Sequence, residues 1–149
     1  MALPTGSGTE TLHAHHFEDV DAVQNIIVGI QHHTYTTLNV TAFCNALDAA
    51  SDEVKLRLLG YDSHSGASGE TLKIAESNII VGQSFVYSER FVFFGTEPSG
   101  TASLTAAHQL LVAAQGSGTA QILRISMTSA DGGGQDYDVH CSYIDQDWS

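Results

Sequence analysis

Positive charge is scarce in this chain. Five lysines and arginines stand against 17 aspartates and glutamates, a formal net charge of −12 over 149 residues. Phosphate recognition needs clustered Lys and Arg, and Lys55, Arg57, Lys73, Arg90 and Arg124 are scattered along the sequence, which argues against nucleic acid as a partner. Cysteine is nearly absent too. Cys44 and Cys141 are too few for a disulfide framework and too far apart for the paired spacing of a zinc site. Both sit at alternating apolar positions, so buried free thiols are expected, with a bond between two facing strands as the alternative. No apolar run approaches the ~18 residues of a membrane span, and the start "MALPTGSGTETL" lacks the basic and apolar regions of a secretory signal. No membrane partner is expected, and synthesis in the cytoplasm is. Charged residues make up only 15% of the chain, against about 25% in an average globular protein. Solubility then rests on Thr, Ser, Asn, Gln and Gly, a composition that favours an all-β protein over a helical bundle.

What is present is a series of short runs rich in Ile, Val, Thr, Phe and Tyr, separated by Gly, Ser, Asp and Asn. Strands are predicted over residues 10–17, 24–31, 34–44, 53–60, 71–82, 84–94, 108–115, 119–128 and 136–144. Alternation is clearest in "EVKLRLLG", where Val54, Leu56 and Leu58 share one face and Lys55 and Arg57 the other. Residues 101–115, "TASLTAAHQLLVAAQ", also fit a helical turn or two with Leu104, Ala107, Leu111 and Ala114 on one stripe. Loops are expected at 45–52, 61–70, 96–103 and 130–136. The length suits one domain. The expected fold is an antiparallel β-sandwich, jelly-roll-like, over residues 10–149, preceded by an extended arm of small residues over 1–9.

Histidines cluster in "LHAHH" and "IQHHTY". On a strand, His13 and His15 face one side and Leu12, Ala14 and His16 the other, a spacing that can place two imidazoles on one metal ion. A third ligand would come from His32, His33, Glu10 or Glu18, as in a cupin-like metal enzyme. Two further readings stand beside it. In one the histidines line the solvent face of an edge strand. In the other His13, His15, His32 and His33 form contacts that respond to pH, because imidazole titrates near pH 6.5.

Other catalytic patterns are thin: there is no nucleophile elbow, phosphate-binding glycine loop or paired-cysteine motif. "ADGGGQDYD" offers Asp131, Asp136 and Asp138, but lacks the alternating oxygen ligands and terminal Glu of a calcium loop. No catalytic residue, metal site or cofactor is therefore assigned. Tyr61, Tyr87 and Tyr137 are candidates for stacking on a sugar, as in a carbohydrate-binding module. Trp148, next to the end of the sequence, is expected to dock on its own domain or on a neighbour.

The two ends, "LPTGSGTETLH" and "CSYIDQDWS", resemble the termini of a group of small virion proteins of tailed bacteriophages that begin with LPTGSG and end with YIDQDW. "SFVYSERFVFFG" is similar to an aromatic-rich strand pair of that group, whereas "LGYDSHSGASGETLKIAES" and "TEPSGTASLTAAHQ" look like loop insertions. The resemblance covers about twenty residues. It implies a non-enzymatic subunit present in many copies in the virion: a capsid decoration (cement) protein, or alternatively a tail, neck or baseplate component. The expected partners are the major capsid protein or other virion proteins, in a homotrimer. Leu3 and Pro4 in the arm and Trp148 at the other end are expected to lie in interfaces. An acidic chain suits the outside of a shell better than a position against packaged DNA.

Overall fold

Side-chain alternation along the strands decides what is buried. The computed structural model describes residues 9–47, 53–61, 70–98, 115–128 and 134–148. These form eleven strands: β1 (Thr9–Val20), β2 (Val23–Val28), β3 (His33–Ala46), β4 (Glu53–Tyr61), β5 (Glu70–Asn78), β6 (Ser84–Tyr87), β7 (Phe91–Phe94), β8 (Thr96–Pro98), β9 (Gln115–Ala120), β10 (Ile122–Thr128) and β11 (Asp136–Asp147). All pairings are antiparallel. One sheet runs β1-β11-β3-β6 with β7 also on β3, a second runs β2-β10-β4-β5, and β8 pairs with β9. The chain crosses between the two larger sheets from β1 to β2, β2 to β3, β3 to β4, β5 to β6 and β10 to β11. That is the interleaved order of a jelly roll, as the sequence pattern predicts.

Every second residue of β3 and β11 points inward, so Tyr35, Val40, Ala42, Cys44, Tyr137, Val139, Cys141 and Tyr143 form one wall of the core. Ile26, Ile27, Val54, Leu56, Leu58, Leu123, Ile125 and Met127 of the second sheet form the other. Complete burial of one such aliphatic side chain is worth about 1.5–3 kcal/mol. Both cysteines are buried free thiols, so the disulfide alternative is not realised.

Three expectations are corrected. Residues 84–94 are two strands instead of one, because β3 is bulged: Ser142 pairs with Asn39 but Tyr143 with Thr37, leaving Leu38 out of register. The kink divides the partner, so β6 follows Val40–Phe43 and β7 follows Thr34–Thr37. Residues 71–82 stop pairing at Asn78, since Gly82, at φ 85°, turns the chain and its N–H donates to the Cys44 carbonyl (2.9 Å). Thr96–Pro98, expected in a loop, forms β8. The helix-or-strand segment before Gln115 and the arm up to residue 8 lie outside the described residues.

Near the start of β8 the two sheets are tied through backbone. Gly95 donates to His33 O (2.8 Å), Gln121 donates to Gly95 O (2.9 Å), and Gly29 donates to Gln121 O (2.8 Å). The strands approach so closely that a Cβ on Gly95 would overlap the Ile30 carbonyl, and one on Gly29 would overlap Gly95 O. Backbone atoms on both sides leave little room to yield. Gly95→Ala is therefore expected to destabilise the fold by roughly 1–3 kcal/mol, the usual cost of overpacking. Urea denaturation would measure it, and an unchanged midpoint would contradict the close crossing.

Candidate functional site

The histidine strand is oriented against the expectation of a solvent-facing row. On β1, Leu12, Ala14 and His16 point outward, whereas His13 and His15 are half-buried. His13 stacks on Tyr143 with ring centroids 5.2 Å apart, and His15 meets the same ring edge-on at 5.1 Å. His15 Nδ1 lies 3.1 Å from the Ile26 carbonyl. A carbonyl only accepts, so Nδ1 carries a proton, and Nε2 is hydrogen-bonded to the Tyr143 hydroxyl at 3.2 Å. Both nitrogens of His15 are thus engaged, and the ring pins edge strand β1 to β2 of the opposite sheet. That bonding is what lets an imidazole face inward while Leu12 faces water.

The second histidine pair lies elsewhere. His32 sits in a left-handed turn at φ 67°. His33 opens β3 opposite Asp147, four residues along β11 from the Tyr143 that pairs with His13. Its Nδ1 is 2.8 Å from Asp145 Oδ1 and its Nε2 3.5 Å from Asp147 Oδ1. His16, exposed, has Nε2 3.6 Å from Glu18. Carboxylates therefore stand beside His33 and His16, and Tyr143 beside His13 and His15. The cupin-like ligand set of His13, His15 and His32 or His33 is not assembled. Among the described residues the one group of three potential metal ligands is Asp19, Asp136 and Asp138, whose ligand atoms lie within 4.8 Å of one another. Asp19 reaches it from the β1 bulge, at φ 57°, a position the sequence pattern did not reveal. Asp131 lies outside the described residues.

The sugar-stacking candidates are also redistributed. Tyr137 is fully buried, because its place in the β11 alternation points it into the core, and it presents no face to a sugar. Tyr87 is half-buried and packs edge-on against Phe91 at 6.0 Å. The Tyr61 side chain, Leu3 and Pro4 are outside the described residues. Trp148 docks on its own chain, its backbone N–H donating to His32 O and its indole N–H to Thr34 Oγ1, each at 2.9 Å.

The outer faces of the two sheets differ sharply in charge. On the first, cross-strand registers place Leu12, Ile144, Thr36 and Val92 in one row, and His16, His140, Thr41 and Val86 in another, with Ala14, Ser142 and Asn39 between them. These rows hold no Asp, Glu, Lys or Arg. Leu12, Val92 and Val86 are 70%, 63% and 60% exposed, far beyond what core packing would leave. Trp148, seated on Thr34, continues this face. On the second sheet the outward positions carry Lys55, Arg57, Lys73 and Arg124, four of the five basic residues of the chain.

Burial controls the titration of the inward polar groups. Desolvation pushes the Cys141 thiol up to about 12. Burial also raises Tyr35 to about 12, with the charges of Asp145 and Asp147 adding, against the lowering effect of the Ile30 N–H that its hydroxyl accepts. Tyr143 is raised by burial first and then by Asp145.

No known protein family and no curated protein sequence matches this chain. Two solved structures of infectious bursal disease virus are similar to it at 9% identity. The Gt-strain structure has a TM-score of 0.40 over 95% of this chain and 27% of its own. The Gx-strain structure has a TM-score of 0.36 over 99% and 32%. The chain thus spans about a third or less of the length of the chains it resembles.

Cys141 and Tyr35 stay protonated in the fold while the unfolded chain loses their protons, from pH 9.0 for the thiol and 10.0 for the phenol. Stability is then full below pH 9 and falls as the pH climbs toward 12. Cys141→Ala removes one such proton and is expected to lessen the alkaline slope of unfolding free energy by about 1.4 kcal/mol per pH unit. Denaturant midpoints across that range would check it, and an unchanged slope would contradict it.

Proposed function

We propose that this protein is a virion structural subunit, a capsid decoration (cement) protein that binds the outer capsid surface and reinforces contacts between capsomers as a homotrimer. The jelly roll does not choose this role alone, since the same architecture serves capsids, lectins and cupins. The observation that carries the reading is the outer face of the β1-β11-β3 sheet. It exposes Leu12, Val86 and Val92, yet its central rows carry no Asp, Glu, Lys or Arg in a chain of net charge −12. An uncharged sheet face of this kind, with apolar side chains exposed among Thr, Ser, Asn and His, is suited to a large protein partner, whose surface would replace the water over it. The end motifs "LPTGSG" and "YIDQDW" support the same reading.

The mechanism is mechanical. Area buried across a subunit boundary adds to the free energy of separating capsomers, and many copies on a lattice multiply it. His15 and the His33–Asp145 pair hold the edge and the far end of the face in place, and need no chemistry of their own for this. Leu3, Pro4 and Trp148 belong to the proposed contact, Trp148 through the surface it adds beside Thr34.

Placing a carboxylate on this face would bury an unpaired charge at the interface. Leu12→Glu with Val92→Glu is expected to lower particle binding at least tenfold, with an unchanged circular dichroism spectrum. Leu72→Glu, at an exposed position of the other sheet, should bind as the parent does. Co-sedimentation with particles lacking the protein reads both, and equal binding by all three would refute the docking face. Removal of residues 1–9 is expected to weaken binding in the same assay.

A further inference from the structure

The basic residues are scattered in sequence and gathered in the fold. Strand pairing puts Asn25, Arg124, Arg57 and Lys73 side by side in one row across β2, β10, β4 and β5. In the next row Lys55 stands between Ser126 and Glu76. Like charges directly opposite one another destabilise a sheet, so this alignment carries a local cost. Two carboxylates offset part of it: Glu76 contacts Lys73 at 2.8 Å and Glu53 contacts Lys55 at 3.7 Å. The hydrogen bond and charge of Lys73 hold Glu76 below the usual carboxylate range, with Lys55 and Arg57 adding to the effect.

The two arginines are different. Arg124 Nε donates to Asn25 Oδ1 at 2.7 Å, and Arg57 Nη2 donates to Ser126 Oγ at 2.6 Å. Both partners are neutral. Arg57 and Arg124 are each anchored by a neutral group that orients the guanidinium, and among the described residues neither forms an ion pair, the charge of Arg57 reaching Glu76 only as the weakest of its influences. A guanidinium fixed in this way still has N–H donors for a planar, bidentate acceptor.

We infer that the Arg124–Arg57–Lys73 row is a docking site for carboxylates of a second copy of this chain. Charge complementarity selects that occupant. Each copy carries −12 overall, so copies repel wherever acidic surfaces meet, and this row is where cations gather among the described residues. A carboxylate-bearing surface of a neighbour meets both needs: it neutralises the row, and it brings two like-charged molecules together at a point of attraction. The contact is heterologous, since each copy offers its row and receives on a different, acidic surface, and such contacts close into rings or continue as chains. The inference rests on the proposed function only in supplying a contact for its self-association; it concerns the other sheet and leaves the proposed capsid-docking face free.

Sedimentation velocity of the full chain in EDTA, at 50 mM and 500 mM NaCl, tests it. The parent is expected to self-associate at low salt and to dissociate at high salt. Arg57→Glu with Arg124→Glu should weaken association at least tenfold. Because that variant keeps its acidic surface, it should still occupy the row of a parent molecule. Mixed with parent at low salt, it is expected to cap growth and give species containing both chains. Arg57→Gln with Arg124→Gln, which keeps the hydrogen-bonding capacity and removes the charge, guards against loss of fold and should weaken association in the same direction. A parent that is monomeric at both salts, charge-reversed chains that associate like the parent, or a mixture that forms no joint species would each overturn the inference.

Discussion

The pairing of β3 with β11 is the constraint on which the rest of the structure depends. It runs from Ala46 opposite Asp136 to His33 opposite Asp147, so residues near the end of the sequence lie at the centre of a sheet. Inward positions of both strands supply one wall of the core, and the same register fixes which residues face out. β1 attaches to the far side of β11, which sets His13 and His15 against Tyr143 and leaves Leu12 beside Ile144. The bulge at Leu38 divides the partners of β3. The apolar outer face, the inward histidines and the anchorage of Trp148 all follow from this one ladder.

Charge is partitioned with equal consequence. A chain this acidic gains little from further surface carboxylates, and its first sheet keeps them out of the central rows of its outer face. The second sheet instead takes most of the cations. The result is a two-sided molecule whose first sheet has an outer face with no Asp, Glu, Lys or Arg in its central rows and whose second sheet has a basic row. Unlike faces of this kind can be met by different neighbours in a heterologous contact. Among the histidines, His15 bridges the sheets, and His33 is held between two aspartates at the end of β11.

Local pattern made much of the fold legible. Alternation in "EVKLRLLG" put Val54, Leu56 and Leu58 on one face, and those side chains are fully or almost fully buried. The alternating positions of Cys44 and Cys141 foretold buried thiols for the same reason. What the sequence concealed depends on partners far away in the chain. The direction of His15 is decided by Tyr143, 128 residues on, and a polar ring within an edge strand otherwise reads as solvent-facing. The break between β6 and β7 originates in the bulge of a different strand. β8 exists because it pairs with β9, Thr96 opposite Ala120 and Pro98 opposite Gln115, residues well apart in sequence. Tyr137, next to a glycine-rich loop, looked available until its place in the β11 register turned it inward. The basic residues read as scattered because strand pairing, not sequence spacing, makes them neighbours.

The central claim is that the protein docks on a capsid through the outer face of its β1-β11-β3 sheet. Cryo-electron microscopy of the intact particle carrying this chain tests it most directly. The account predicts density for the jelly roll over boundaries between capsomers, with Leu12, Val86 and Val92 turned toward the shell and the sheet bearing Arg57 and Arg124 turned away from it. Density confined to the tail axis, or a copy over the capsomers with those two faces reversed, would contradict it.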